Sequence, residues 1–202
     1  MIKNREFSKT VIELHSQFTS QWHITNEDPT TTDDNIANLI IEQHRYNFDL
    51  WHEEDKAREP NVNDNIIATV KRNIDSLNQN RNDTITKIDI ALEESIFSNQ
   101  NSDQLPWNSE TIGSIIDRLS IASLKVFHMQ EQVERTDASQ EHIESCKNKA
   151  AKLNIQLQDL AQALQEFYND VLNGKKQNKL YHQFKMYNDP ALNPKIYQHS
   201  QK

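Results

Sequence analysis

Glycine is nearly missing from this chain: 202 residues contain two. Tight turns and phosphate-cradling loops depend on glycine for close backbone approach. No G-x-G-x-x-G or Walker-type loop occurs, so Rossmann and P-loop readings fail. The lone Cys146 excludes an internal disulfide and fits a reducing compartment. No run approaches the ~20 apolar residues needed to cross a membrane. The opening stretch MIKNREFSKT is charged and lacks an apolar signal region. Basic charge is also short: 22 Lys and Arg against 30 Asp and Glu leave a formal charge of −8. That balance disfavours nucleic acid, because phosphate repulsion would have to be overcome. A cytoplasmic protein with no membrane span is expected.

What the chain does have is long helical periodicity. It predicts an all-α, single-domain bundle of about five long helices over residues 1–202. A first helix and polar loop occupy 1–32, with Phe7, Val11, Leu14 and Phe18 as its stripe. Core helices fill 33–173. The second runs from about Asp34 to Glu59, where Pro60 stops it. The third, capped by Asp64, reaches about Ser95 and points Ile67, Val70, Ile74, Ile88 and Leu92 inward. A fourth opens at Ser109–Thr111 and ends near Arg135. The fifth, from Ser139 to Asn173, carries the cleanest apolar stripe, Cys146 through Leu157 and Leu164 to Val171, and reads as scaffold. Gly174 is a natural C-cap. Residues 174–202 are basic, Pro-punctuated and aromatic. Tyr181, Phe184, Tyr187 and Tyr197 are expected to fold against the bundle.

The informative anomaly is polar groups on core-facing sides. In the second helix Glu42, Arg45, Asp49, His52, Glu53 and Lys56 make an ordinary solvated face. The opposite side holds Ile36, Ile40 and Trp51, but also His44, Asn47, Glu54, Asp55 and Arg58. The third helix interleaves Asp75, Asn78, Arg81, Asn82 and Asp89 with its apolar stripe. The fourth mixes Glu110, Asp117 and His128 into its second face, with Arg118 and Lys125 flanking the first. An unpartnered buried polar group costs about 1–3 kcal/mol, so His44, Asn47, Glu54, Asp75, Asn78, Arg81, Asp117 and His128 are expected to converge. Gly113, in the first turn of a helix, predicts close approach of a backbone or ligand.

Several chemistries can be weighed on these residues. Carboxylates in the pattern of all-α nucleotide pyrophosphatases would hold Mg²⁺, though the E-x-x-E and E-x-x-D spacing is absent. Di-iron bundles need Glu-x-x-His pairs that are not here. Nothing activates Cys146 beside His142, and no nucleophile elbow is present. Arg forks suit carboxylate and phosphate. The site reading therefore takes His44, Asn47, Arg58, Asp75, Asn78, Arg81, Asn82, Glu110, Arg118 and Lys125 as ligand-binding. Asp117, His128 and Glu54 are the catalytic candidates, and the ligand is small, polar and anionic, such as a sugar phosphate or nucleotide. The competing reading is a non-catalytic helical scaffold, open to homo-oligomerisation. In it Asp117 pairs with Arg81 and Glu54 with Arg58 in a structural network.

The stretches EQHRYNFDLWHEEDKAR, VKRNIDSLNQNRND, NSETIGSIIDRLSIASLKVFHMQEQ and YHQFKMYNDPALNP carry a resemblance. Together, over about Asn35 to Tyr197, they resemble an uncharacterised bacterial all-helical family, a domain of unknown function with members encoded near glycosyltransferases. Ile112 stands where that family has Pro. The resemblance implies no established activity. It places the inward polar residues, Asp55 and Arg118 among them, within the family's signature blocks and favours a sugar-bearing ligand.

Overall fold

Side-chain caps set the helix starts. Asp34 accepts from the amides of Ile36 and Ala37, Asn63 from Asn65, Thr111 from Ser114 and Ser139 from His142. The computed structural model describes residues 6–25, 27, 32–97, 104–180, 191–194 and 198. Its helices are α1 (Phe7–Ile24), α2 (Asn35–Arg58), α3 (Asp64–Leu92), α4 (Ile112–Val133) and α5 (Gln140–Leu172). A π-helical turn, Glu93–Phe97, continues α3. The cap of α3 is Asn63, one residue ahead of the expected Asp64. Gly174, at φ 66°, follows the end of α5 as expected. Among the described residues there is no strand, only an isolated bridge between Trp107 and Gln177.

The apolar stripes converge on a main core fed by all five helices. Phe7 and Val11 come from α1, Ile36 and Ile40 from α2, Ile88 and Leu92 from α3, Ile116 and Leu119 from α4, and Leu164 and Phe167 from α5. Each such side chain contributes about 1.5–3 kcal/mol when fully buried. A second cluster joins Phe18 and Trp22 of α1, Ile41 and Phe48 of α2, and Leu124 of α4. α2 packs along α3, and α4 along α5. The inward assignment of Ile67 fails: it is exposed, as are all residues from 64 to 69 at the start of α3.

Gly113 has a steric cause. A Cβ there would lie 2.7 Å from the Ile85 carbonyl oxygen and 2.8 Å from Asp89 Oδ2. The α4 N-terminus thus sits directly on α3. Asp89 Oδ1 accepts from the Gly113 amide at 2.8 Å and from Asn178 Nδ2 at 2.9 Å, while Asn178 Oδ1 accepts from the Ile112 amide. A carboxylate at a helix N-terminus meets unsatisfied amides and the positive end of the dipole. The chain after α5 is tied into this junction, since the Gln177 amide donates to Pro106 O. The aromatic tail residues Tyr181, Phe184, Tyr187 and Tyr197 lie outside the described residues.

Candidate functional site

His44 organises a sealed polar layer between α1, α2 and α4. Its Nε2 lies 3.0 Å from the His15 carbonyl oxygen and 2.8 Å from Thr19 Oγ1. A carbonyl can only accept, so Nε2 carries the proton. Nδ1 then accepts from Ser120 Oγ at 2.7 Å. Ser120 accepts in turn from Asn47 Nδ2, which also donates to Asp117 Oδ1 at 2.9 Å. Gln43 Nε2 adds a bond to the same carboxylate oxygen at 2.5 Å. His15, Gln43, His44, Asn47 and Ser120 are all buried. Burial holds His44 far below an ordinary imidazole, at about 3, against a partial rise from its bond to the His15 backbone. His15 is also pushed well down, by burial and then by His44, whose ring stacks on it at 4.4 Å. Asp117 is pushed up by desolvation, opposed by Arg81 and by Asn47.

Beside this layer lies an open cleft of about 470 Å³ between α2, α3 and α4. Asn47, Glu54 and Arg58 come from α2, and Asn78 and Arg81 from α3. Trp51, Ile121 and Leu124 give it an apolar wall. Arg81 Nε is 3.7 Å from Asp117 Oδ1, an ion pair too long for a hydrogen bond, and it is buried with no hydrogen-bond partner. Arg58, at the rim, bonds Glu54 at 3.2 Å and faces Asp55 at 3.5 Å. Asn78 donates to the Ile74 carbonyl one turn back. Both ion pairs of the network reading therefore form, and four residues of the ligand reading, Asn47, Arg58, Asn78 and Arg81, line the cleft next to them.

Other expected site residues lie elsewhere. Asp75 is exposed and ion-paired to Lys71, on the outer side of α3 rather than inward. Arg118 and Lys125 line a separate groove against α5, with Gln156 and Asp159. Glu110 is exposed ahead of α4, near enough to raise Asp117 further. Asn82 is half-buried on α3. His128 belongs to an aromatic cluster, stacked on Trp51 at 4.6 Å. The eight residues expected at one centre thus divide: His44, Asn47, Arg81 and Asp117 meet, Glu54 and Asn78 share the cleft, and Asp75 and His128 stand apart. No three of these carboxylates gather ligand oxygens among the described residues, so the Mg²⁺ centre of a pyrophosphatase is not assembled. Asp89 is spent on the α4 N-terminus.

Gln43, Ser120, Thr19 and the His15 carbonyl were not singled out in the sequence, because one helix projection does not show which neighbour each residue meets. The solvated assignment of His52 and Glu53 is also corrected. Both are half-buried and line a groove of about 590 Å³ with Trp22, His23 and Asn73. His23 on α1 meets Phe48, His52, Phe127 and His128 at ring distances of 4.5–5.3 Å.

Fold and cleft define an all-helical bundle whose central helices share a buried polar layer with an adjoining solvent-open cleft. The sequence profile of the family described as "Protein of unknown function (DUF4254)" matches residues 37–180, more than half of the chain, and the chain belongs to that family. The match takes in α2 to α5 and every residue lining the cleft; α1, with His15 and His23, lies outside it. Comparison with curated proteins and with solved structures finds no match.

Proposed function

We propose that the cleft between α2, α3 and α4 binds a small polar ligand with an anionic group, of the sugar-phosphate or nucleotide class. The observation that carries this reading is Arg81. Its Nε faces a carboxylate across a distance too long for a hydrogen bond and has no other partner, although such a group costs about 1–3 kcal/mol when buried. A phosphate or carboxylate oxygen would satisfy it, and Arg58 at the rim would supply the second cation. Trp51 offers a flat face to a sugar ring or base, and Glu54 and Asn47 offer hydroxyl partners. The sugar preference rests on the glycosyltransferase neighbourhood that the resemblance implies. If the site is catalytic, Asp117 is the acid–base candidate nearest the Arg81 charge clamp, with Glu54 on the same cleft.

A thermal-shift series with nucleotides, sugar nucleotides and sugar phosphates, with and without Mg²⁺, tests this on the full chain. A ligand of that class should raise Tm, and the rise should disappear in Arg81→Gln while the unliganded variant still melts cooperatively. No shift from any of them, or an equal shift in Arg81→Gln, would overturn it. The second reading, a scaffold that dimerises through a helix face, is favoured by Ile66 and Ile67, both exposed at the start of α3. It predicts a concentration-dependent mass in sedimentation that Ile66→Lys abolishes.

A further inference from the structure

We propose that His23, His52 and His128 form a binding site for a borderline divalent transition metal such as zinc. They come from α1, α2 and α4, and one ring nitrogen from each lies within 4.8 Å of the others. Three imidazoles suit zinc, copper or nickel, whereas Mg²⁺ and Ca²⁺ take oxygen. Nitrogens on one tetrahedral zinc are roughly 3.3 Å apart, given Zn–N bonds of about 2.0–2.1 Å. Binding would draw the three nitrogens together across the remaining gap.

Two features distinguish this cluster from simple aromatic packing. The first is unmet ring nitrogens: Nε2 of His52 and Nε2 of His128 are buried with no hydrogen-bond partner. Packing alone would leave that cost uncompensated. The second is orientation of the rings from behind. His128 Nδ1 donates to Glu131 Oε2 at 2.7 Å, and His23 Nδ1 donates to the Thr19 carbonyl oxygen at 2.7 Å. Neither acceptor oxygen can donate, so in both rings Nε2 keeps its lone pair for a ligand. Carboxylate and carbonyl partners of this kind fix the tautomer of metal-binding histidines and raise their basicity.

The surroundings suit a three-ligand centre with an open position. Trp51 covers one face of His128. His23 and His52 also line the groove that Asp49, Glu53 and Asn73 share, so a fourth ligand would enter from there. The site is independent of the α2–α3–α4 cleft, although Trp51 is a wall of both.

Cobalt(II) titration of the full chain tests the site, because its visible bands report coordination geometry without any activity assay. One cobalt per chain should give tetrahedral-type bands that zinc displaces. Binding should be lost in His128→Gln and His52→Gln, and weakened roughly 10–100-fold in Glu131→Gln. It should be unchanged in His142→Gln, which removes the Cys146–His142 contact on α5. If His52→Gln does not fold, His23→Gln decides, since His23 is exposed. Absence of bands with the folded wild type would overturn the proposal. So would thiolate charge-transfer bands that vanish in His142→Gln and persist in the His128 variant.

Discussion

Two layers of histidine cross the α1–α2 interface, and they are built in opposite ways. His15 and His44 form the inner layer; eight residues further along each helix, His23 and His52 form the outer one. The inner pair is fully buried, and His44 has both nitrogens engaged. The outer pair, joined by His128, is reached by solvent and leaves ring nitrogens unpartnered. The same side chain is thus used once as an internal strut and once as a group with spare bonding capacity. Burial of a polar residue is therefore a poor guide to function by itself. What separates the layers is access: the His15 nitrogens also lack hydrogen-bond partners, but they are sealed in the core beside the satisfied His44, whereas His23 and His52 line an open groove.

The largest effect should separate the layers by stability. His44→Ala removes a buried ring and strands Ser120, Thr19 and the His15 carbonyl, so a cost of about 3–5 kcal/mol is expected from lost packing and lost bonds. His52→Ala should cost about 1 kcal/mol or less, as its ring is half-buried and its Nε2 has no bond to lose. Urea midpoints measure both. Equal losses would erase the distinction between strut and spare ligand.

Acid should act on the inner layer next. His44 titrates near 6.5 when unfolded and at about 3 when folded. The unfolded chain then binds the extra proton, so stability is complete above about pH 6.5 and falls as the pH drops toward 3. Between pH 6.5 and 4.5 this amounts to about 2–3 kcal/mol, at about 1.36 kcal/mol per unit. His15, which stacks on His44, acts in the same direction. Asp117, reached through Ser120 and Asn47, has a raised value and opposes it at the acid end. The slope should be shallower in His44→Gln. An identical slope in wild type and variant would show that other groups carry the acid sensitivity.

Much of this was legible in the sequence, and the failures share one cause. Periodicity located all five helices, and the second and fifth begin at the expected Asp34 and Ser139, which cap them. His44, Asn47, Arg81 and Asp117 were found because they interrupt apolar stripes. Asp75 was misplaced because it sits beside its stripe, close enough to reach Lys71 and solvent instead. His52 was read as solvated because its helix projection is polar; only the approach of α1 and α4 encloses it. Ser120 and Gln43 gave no signal, being small or uncharged on helices whose neighbours a projection does not specify. Sequence thus exposes a polar residue that breaks a stripe, but not one whose partner arrives from another helix.

Gly113 tests how rigidly α4 is held beneath both layers. Adding a methyl group gains helix propensity of up to about 1 kcal/mol, yet it would collide with the α3 backbone at Ile85. A backbone carbonyl cannot rotate away as a side chain can. Gly113→Ala should therefore be destabilising by about 1–3 kcal/mol, the usual cost of overpacking. It should also displace Asp117 and Ser120, one and two turns along. A neutral or stabilised variant would mean that α3 and α4 separate easily, and the fixed placement of Asp117 and Ser120 in the sealed layer would lose its account.

The smallest stability effect is expected at the cleft rim, and it sharpens the contrast most. Arg58 is exposed, and the side chains of its partners Glu54 and Asp55 are 45% and 62% exposed. Exposed ion pairs contribute about 0–1 kcal/mol, so Arg58→Ala should leave the urea midpoint within about 0.5 kcal/mol of wild type. If the cleft is a ligand site, the same change should still reduce the Tm rise produced by an anionic ligand, because a rim cation acts on binding without supporting the fold. Loss of stability with no change in ligand response would instead make Arg58 a structural residue. Its ion pairs would then belong with the sealed network rather than with the open cleft.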